Sequence, residues 1–246
     1  MIDFFHSDSF LAMPDPVGLD KQMATEDDVQ ATLKSVSRSF GMQGFMVLTL
    51  PANPGASLGA STLLTDWPDE MLESYDDAGL FQGSPVVEKL QKGAVPFHYD
   101  ATSTNRSRCD GKADIAVSIF EKYNLARGAY FPALGIDGRR GAIAFGGGRQ
   151  KLREEEMLRL NLITNYIFNR LGQLRKQTKP EAAALSQREL ECIYWVAAGK
   201  TSSEIAVILQ LSEHTVNHYL NRASRKLDAV NRVQTVAKAF RAGLIH

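Results

Sequence analysis

The sequence predicts an α+β protein in two parts: an N-terminal α/β/α sandwich around an antiparallel sheet, then a C-terminal all-α domain of four short helices. Three observations carry this reading. Up to about residue 175, helical and strand-like patterns intermix and end in a hairpin signal, whereas from residue 185 the chain reads as helices alone. Charge also changes sign along the chain: residues 176–246 hold 10 Lys/Arg and 6 Asp/Glu, leaving 18 and 22 in residues 1–175. The chain is formally neutral as a whole, yet such asymmetry points to a polyanion-binding module joined to an acidic one.

In chain order, the acids of TEDDVQ open a helix over 26–39, and GFMVLTLP gives a strand near 44–50. A second strand is expected near 61–65, with helices near 68–78, 85–92 and 112–123. In GAYFPALGIDGRRGAIAFGG, strands near 129–134 and 141–145 flank Asp137-Gly138, a turn pair suited to a hairpin. Helix 152–175 carries Leu160, Ile163, Ile167, Leu171 and Leu174, with Leu158, Leu162 and Tyr166 alongside. That stripe is broader than one packing surface needs, so it is either shared between the sheet and a second subunit or buried whole in a monomer. A polar, basic stretch containing Pro180 marks a linker at 176–184, which gives domains 1–175 and 185–246.

The last 62 residues follow helix-capping grammar. Ser186 with Glu189 three residues later is a capping box for a helix over 186–198, and Gly199 ends it. Thr201 or Ser202 caps the next helix, whose Ile205, Ala206 and Leu209 share a face. Ser212 then starts SEHTVNHYLNRASRKL, where Val216, Leu220, Ala223 and Leu227 recur at spacings of 4, 3 and 4 and fix a buried face. Two helices joined by a short turn are a helix-turn-helix. The opposite face carries His214, Asn217, His218, Asn221, Ser224 and Arg225, and amides and imidazoles of this kind can hydrogen-bond base edges in the major groove. Asn217, Asn221, His214 and His218 are therefore assigned to base readout, and Arg222, Arg225, Lys226 and Arg232 to phosphate.

Other chemistries fit poorly. Gly199-Lys200-Thr201 is not a nucleotide-phosphate loop, because Tyr194 stands where the first glycine is needed and the preceding stretch is helical. GASLG (55–59) has the form of a serine-hydrolase elbow around Ser57, but the following residues read as a strand, and His98 precedes Asp110 instead of following it. Hydrolysis through Ser57 is a remote alternative, and the expectation is no catalytic residue and no enzyme. Cys109 and Cys192 are expected as free thiols, with no metal site and no cofactor. A phosphorelay receiver is not expected, because the acids of TEDDVQ open a helix and the strand ending at residue 50 has no terminal aspartate. The N-terminal stretch lacks a signal-peptide pattern and no apolar run reaches the length of a membrane span, so a cytoplasmic protein is expected.

The C-terminal residues resemble the DNA-binding domain of LuxR-type transcriptional regulators. The likeness runs through Leu185, Arg188, Glu189, Gly199, Glu204-Ile205-Ala206, Ser212, Thr215-Val216, Lys226-Leu227 and Asn231-Arg232. It implies that 212–227 is the recognition helix, that Lys200 and Thr201 lie where they can touch backbone phosphate, and that the last helix pairs two such domains. Residues 66–100 more weakly resemble the autoinducer-binding domain of the quorum-sensing members, through Trp67-Pro68, Tyr75, Pro85-Val86-Val87, Pro96-Phe97 and later Gly128.

By that resemblance the ligand pocket takes Met71, Tyr75, Ser84, Tyr99 and Gly128. Met71 stands where the family has a tryptophan that binds the lactone carbonyl, Ser84 where it has an aspartate that accepts the acyl-amide N–H, and Tyr99 where it has another tryptophan. A thioether cannot replace an indole N–H, and a hydroxyl is a weaker acceptor than a carboxylate. Both losses together should weaken an acyl-homoserine lactone by roughly 2–4 kcal/mol. The implied function is a regulator not controlled by an ordinary acyl-homoserine lactone. The alternatives are a lactone-responsive protein with a rearranged pocket, or a ligand-independent member working with a related chain. Implied partners are double-stranded DNA with a two-fold symmetric operator, a second copy or related regulator, a small-molecule effector and RNA polymerase, with no membrane.

Overall fold

The computed structural model describes residues 23–51, 55–135, 138–178 and 185–245. The chain divides into two compact units, residues 1–174 and 175–246. Of the expected linker, 176–178 continue the preceding helix, whereas 179–184 and Asp137 of the hairpin turn lie outside the described residues.

In the N-terminal unit, helix α1 (Glu26–Ser39) begins at a capping box in which Thr25 and Asp28 each accept the other's backbone N–H. Strands β1 (Gly44–Thr49) and β2 (Thr62–Thr65) follow, separated by one helical turn, α2 (Leu58–Ser61). Next come α3 (Asp69–Asp77), α4 (Pro85–Lys92), β3 (Phe97–Asp100), α5 (Ala101–Asn105), α6 (Ala113–Lys122), the hairpin β4 (Arg127–Leu134) and β5 (Arg140–Gly147), and α7 (Glu154–Thr178). The five strands form one antiparallel sheet in the order β2-β1-β5-β4-β3. The turn α2, strand β3 and helix α5 are not expected from the sequence.

Alternation along the central strands sorts side chains into two layers. Met46, Leu48, Tyr130, Ala142 and Ala144 pack under Met71, Tyr75, Leu90 and Phe120 of the helices between the strands. Phe45, Val47, Phe131, Ile143 and Phe145 pack under Val29 and Leu33 of α1 and Leu160, Ile167 and Leu171 of α7. This is the expected α/β/α sandwich. Leu158 and Leu162 of α7 stay exposed, so the broad stripe is only partly used within the chain. A Cβ at Gly128 would come within 2.1 Å of the Phe145 carbonyl oxygen, so glycine there permits close strand approach.

The C-terminal unit contains α8 (Gln187–Ala197), α9 (Ser202–Leu209), α10 (Glu213–Lys226) and α11 (Arg232–Arg241). Ser186–Glu189 and Thr201–Glu204 are both capping boxes, so Thr201 and not Ser202 caps α9. Gln210, left-handed at φ 54°, turns the chain into Ser212, whose side chain caps α10. Cys192, Ile193, Ile205, Val216, Leu220, Ala223 and Ala239 close the core. Among the described residues no helix is long and apolar enough to cross a membrane.

Candidate functional site

Helix α10 separates its faces cleanly. At 3.6 residues per turn, buried Val216, Leu220 and Ala223 fall within an arc of about 60°, and His214, His218, Asn221 and Arg225 occupy a similar arc diametrically opposite. All four of the latter are exposed. Asn217 lies nearer the edge of this face, although it too is exposed. Its carboxamide oxygen accepts the Ser202 hydroxyl at 2.7 Å. Asn217, Asn221, Arg225 and Arg232 border a groove of about 480 Å³ between α10 and the start of α11.

The cations assigned to phosphate divide into two groups. Arg225 is exposed, with its Nε 3.4 Å from the Asn221 carbonyl oxygen, and Lys200 makes a partly exposed pair with Glu204 at 3.2 Å. Both can exchange these partners for phosphate at little cost. Thr201 is occupied by capping: its backbone N–H and hydroxyl hold Glu204, which brings that carboxyl down to about 2.

Of the other three, Lys226 and Arg232 are engaged within the unit, whereas Arg222 stays half exposed. Lys226 Nζ donates to Glu189 Oε2 at 2.8 Å with its side chain only 19% exposed, and Arg222 Nε lies 3.3 Å from Glu189 Oε1. Arg232 donates to the Ser202 hydroxyl at 3.2 Å and to the Lys200 carbonyl at 3.4 Å. The expectation that these three serve phosphate thus meets competing partners: a fully buried Glu189 carboxylate holds Lys226 and a turn carbonyl holds Arg232, while Arg222 keeps half its side chain in solvent. Burial would raise the Glu189 pKa, but Lys226 and the Ser186 N–H bring it below the ordinary carboxylate range.

In the N-terminal unit, Tyr75, Ser84 and Tyr99 border a cavity of about 20 Å³, together with Trp67, Asn105, Phe120 and Tyr130. The volume suits about one water. Tyr75 donates to Ser84 Oγ at 3.4 Å, and Asn105 donates to Tyr99 at 3.4 Å. Burial pushes both phenols up, so they stay protonated. Phe120 contacts the rings of Trp67, Tyr75 and Tyr99 edge-on or tilted and fills the space between them. Met71 is fully buried in the surrounding core, and Gly128 serves strand packing. Neither borders the cavity.

Sequence reasoning missed Trp67, Phe120, Tyr130 and Asn105 as cavity residues, and also Arg108. The buried Arg108 guanidinium grips Asp110 at 2.6 Å and the Leu80 and Gln82 carbonyls, locking the loop that leads to Ser84. Its hydrogen bond holds the Asp110 carboxyl at about 2. Ser57 caps α2 by accepting the Ala60 N–H, so neither Ser57 nor Asp110 is arranged as a hydrolase pair.

Two family models match this chain: the autoinducer binding domain over residues 25–171, and bacterial regulatory proteins of the luxR family over residues 183–239. The chain is 32% identical over 212 residues to the HTH-type quorum sensing-dependent transcriptional regulator RpaR of Rhodopseudomonas palustris, covering 86% of each protein. It is 28% identical over 235 residues to the transcriptional activator protein VanR of Vibrio anguillarum, covering 92% of this chain and 94% of that one. In fold it is similar to Escherichia coli SdiA, with a TM-score of 0.72 at 21% identity over 92% of this chain and 94% of that one. SdiA in complex with octanoyl-rac-glycerol gives a TM-score of 0.74, also at 21% identity, over 92% of each chain. Its relatives regulate transcription and are not enzymes, which removes the hydrolase alternative. An autoinducer-binding domain joined to a DNA-binding helix-turn-helix, matched over both units, places this chain in the LuxR family of quorum-sensing transcriptional regulators.

Proposed function

We propose that this regulator binds a two-fold symmetric operator as a dimer through the exposed face of α10, and that its sensor domain is not switched by an ordinary acyl-homoserine lactone. The observation that carries the second part is the cavity of about 20 Å³ already filled by Tyr75, Tyr99, Tyr130 and Phe120. Small-molecule sites usually offer about 300–1,000 Å³. Ser84 in place of an aspartate removes the charged acceptor for an acyl-amide N–H, and SdiA with octanoyl-rac-glycerol is an example of this fold holding a ligand without an amide.

Support for dimerisation comes from apolar side chains left in water: Leu158 and Leu162 on α7, and Val233 and Phe240 on α11. In this reading residues 1–175 sense and pair, 185–246 read DNA, and 176–184 join them. His214, His218, Asn217 and Asn221 face bases, while Arg225 and Lys200 meet phosphate. The protein acts in the cytoplasm on RNA polymerase at its promoters.

Native mass spectrometry of the full chain together with footprinting tests the reading. A ligand-free dimer protecting two half-sites about 10 bp apart is expected. A co-purifying acyl-homoserine lactone, or protection of one asymmetric half-site at every concentration, would overturn it. The filled cavity also favours a second reading, a ligand-independent member paired with a related chain. In that case the protein alone protects no operator until the second chain is added.

A further inference from the structure

We infer that Ser202 and Arg232 set the base preference of Asn217 by fixing which end of its carboxamide faces DNA. The inference rests on the proposal that α10 reads bases, and it goes beyond that proposal by naming the chemistry read at one position.

The geometry is a three-residue relay linking the two helices of the motif to the one that follows. Arg232 Nη1 donates to Ser202 Oγ at 3.2 Å, and its Nη2 donates to the Lys200 carbonyl at 3.4 Å. Ser202 is buried, with 8% of its surface exposed, and its Oγ lies 2.7 Å from Asn217 Oδ1. A guanidinium has no acceptor, so the Arg232–Ser202 bond runs one way only and leaves the hydroxyl proton free. That proton goes to the amide oxygen. Asn217 therefore keeps Oδ1 turned toward the protein and its two Nδ2–H groups toward the exposed side of α10.

An asparagine reads adenine by accepting from N6 while donating to N7, which needs both ends of the amide at once. Asn217 has only the donor end to offer. In the major groove a donor alone is met best by guanine, whose O6 and N7 both accept; thymine offers O4 singly, adenine offers N7 only beside an N6 amine left without an acceptor, and cytosine presents its N4 amine. Asn221 carries no such side-chain tether among the described residues, as its backbone carbonyl alone is engaged by Arg225. It keeps both ends of its amide for the two-point adenine contact. The two asparagines, one turn apart on one helix, thus read different bases.

The experiment is sequencing of bound fractions from a randomised half-site library, using the full-length chain, Asn217→Ala, Asn217→Asp and Ser202→Ala, with thermal melting of each variant. At one position the wild type is expected to favour guanine over adenine by about tenfold, and Asn217→Ala should flatten that position alone. Asn217→Asp keeps an oxygen for Ser202 but exchanges the donor for an acceptor, so preference there should move away from guanine to the bases that present an amine, cytosine at N4 and adenine at N6. Ser202→Ala frees Oδ1 and should raise adenine about tenfold relative to wild type. Because Ser202 is buried, Asn217→Asp at an exposed site gives an independent reading if Ser202→Ala melts early.

An adenine preference in the wild type at the position that Asn217→Ala flattens would overturn the inference while leaving operator reading intact. Uniform loss across all sequences with Asn217→Ala would also overturn it, by making Asn217 a phosphate contact. Wild-type binding with no base preference at any position would remove the base-reading proposal itself.

Discussion

Replacing Lys226 by alanine separates a DNA contact from a structural one. Glu189 is fully buried and ionised, with Oε2 held by Lys226 Nζ at 2.8 Å and the Ser186 N–H at 2.7 Å, and Oε1 facing Arg222 at 3.3 Å. Removing one partner of a buried pair commonly costs about 3–5 kcal/mol. Arg222 and the Ser186 N–H remain in this variant, and the Lys226 side chain keeps some contact with water, so about 2 kcal/mol is the expected loss. For a helical unit of this size each kcal/mol is worth roughly 4–8 °C, which sets a fall of about 8–16 °C in the melting of the C-terminal unit. The assay is circular dichroism melting of the full chain, followed by operator affinity against salt at a temperature where the variant is folded. Because the ammonium faces Glu189, the salt slope should stay unchanged. Unchanged melting with a slope reduced by about 0.9 would mean that Lys226 neutralises a phosphate and that Glu189 is held without it, which refutes the inward assignment. Glu189→Leu combined with Lys226→Met should recover much of the lost stability, since an apolar pair of similar volume needs no compensation for buried charge.

Three further outcomes follow from the N-terminal unit. Common acyl-homoserine lactones should give no upward thermal shift, whereas a true ligand at 100 times its Kd adds about 2.7 kcal/mol; a clear shift by differential scanning fluorimetry would show that the aromatic cavity opens for them. Gly128→Ala should cost roughly 1–3 kcal/mol in urea titration, because its Cβ would lie 2.1 Å from the Phe145 carbonyl and β4 would have to shift; a neutral result would mean the sheet flexes freely there. Acid titration should expose the Arg108–Asp110 pair. The Asp110 carboxyl is depressed to about 2 against an ordinary 3.8, so its stabilising contribution is complete above about pH 4 and fades as pH falls toward 2. Asp110→Asn should remove that part of the pH dependence, and an unaltered acid profile would argue against the pair.

Local signals make most of the architecture legible in the sequence. Capping boxes at Ser186 and Thr201 and the Val216–Leu220–Ala223 spacing need only near neighbours, and they set the helix-turn-helix. The four-residue β3 lies at the sheet edge and is too short for alternation to register, so Phe97–Asp100 leaves no strand signal, nor does α5 after it with only five residues leave a helical one. At the sites, exposure of the α10 face can be read from periodicity. What cannot be read is which cations remain free. Lys226 meets Glu189 across 37 positions and Arg232 meets Ser202 across 30, and no pattern along the chain announces such pairs. The signal available is Glu189 itself: a capping glutamate on an otherwise apolar helix face is a carboxylate that needs a cation once buried. The aromatic filling of the cavity is also beyond reach, since Phe120 and Tyr130 become cavity residues only when the layers close.

The position of β1 inside the sheet has a consequence for biosynthesis. Once Thr65 has emerged from the ribosome, β1 can pair with β2 along one edge, but its other edge belongs to Arg140–Gly147. At about 5–20 residues per second that strand arrives only some 4–15 s later. Throughout this interval FMVL presents an apolar strand edge to every other nascent chain, with the continuous hydrophobicity and lack of charge that favour intermolecular pairing. Expression yield should therefore respond to translation rate and to chaperones that hold extended apolar segments, and slow synthesis across residues 66–140 should deplete soluble protein even though no native contact has changed.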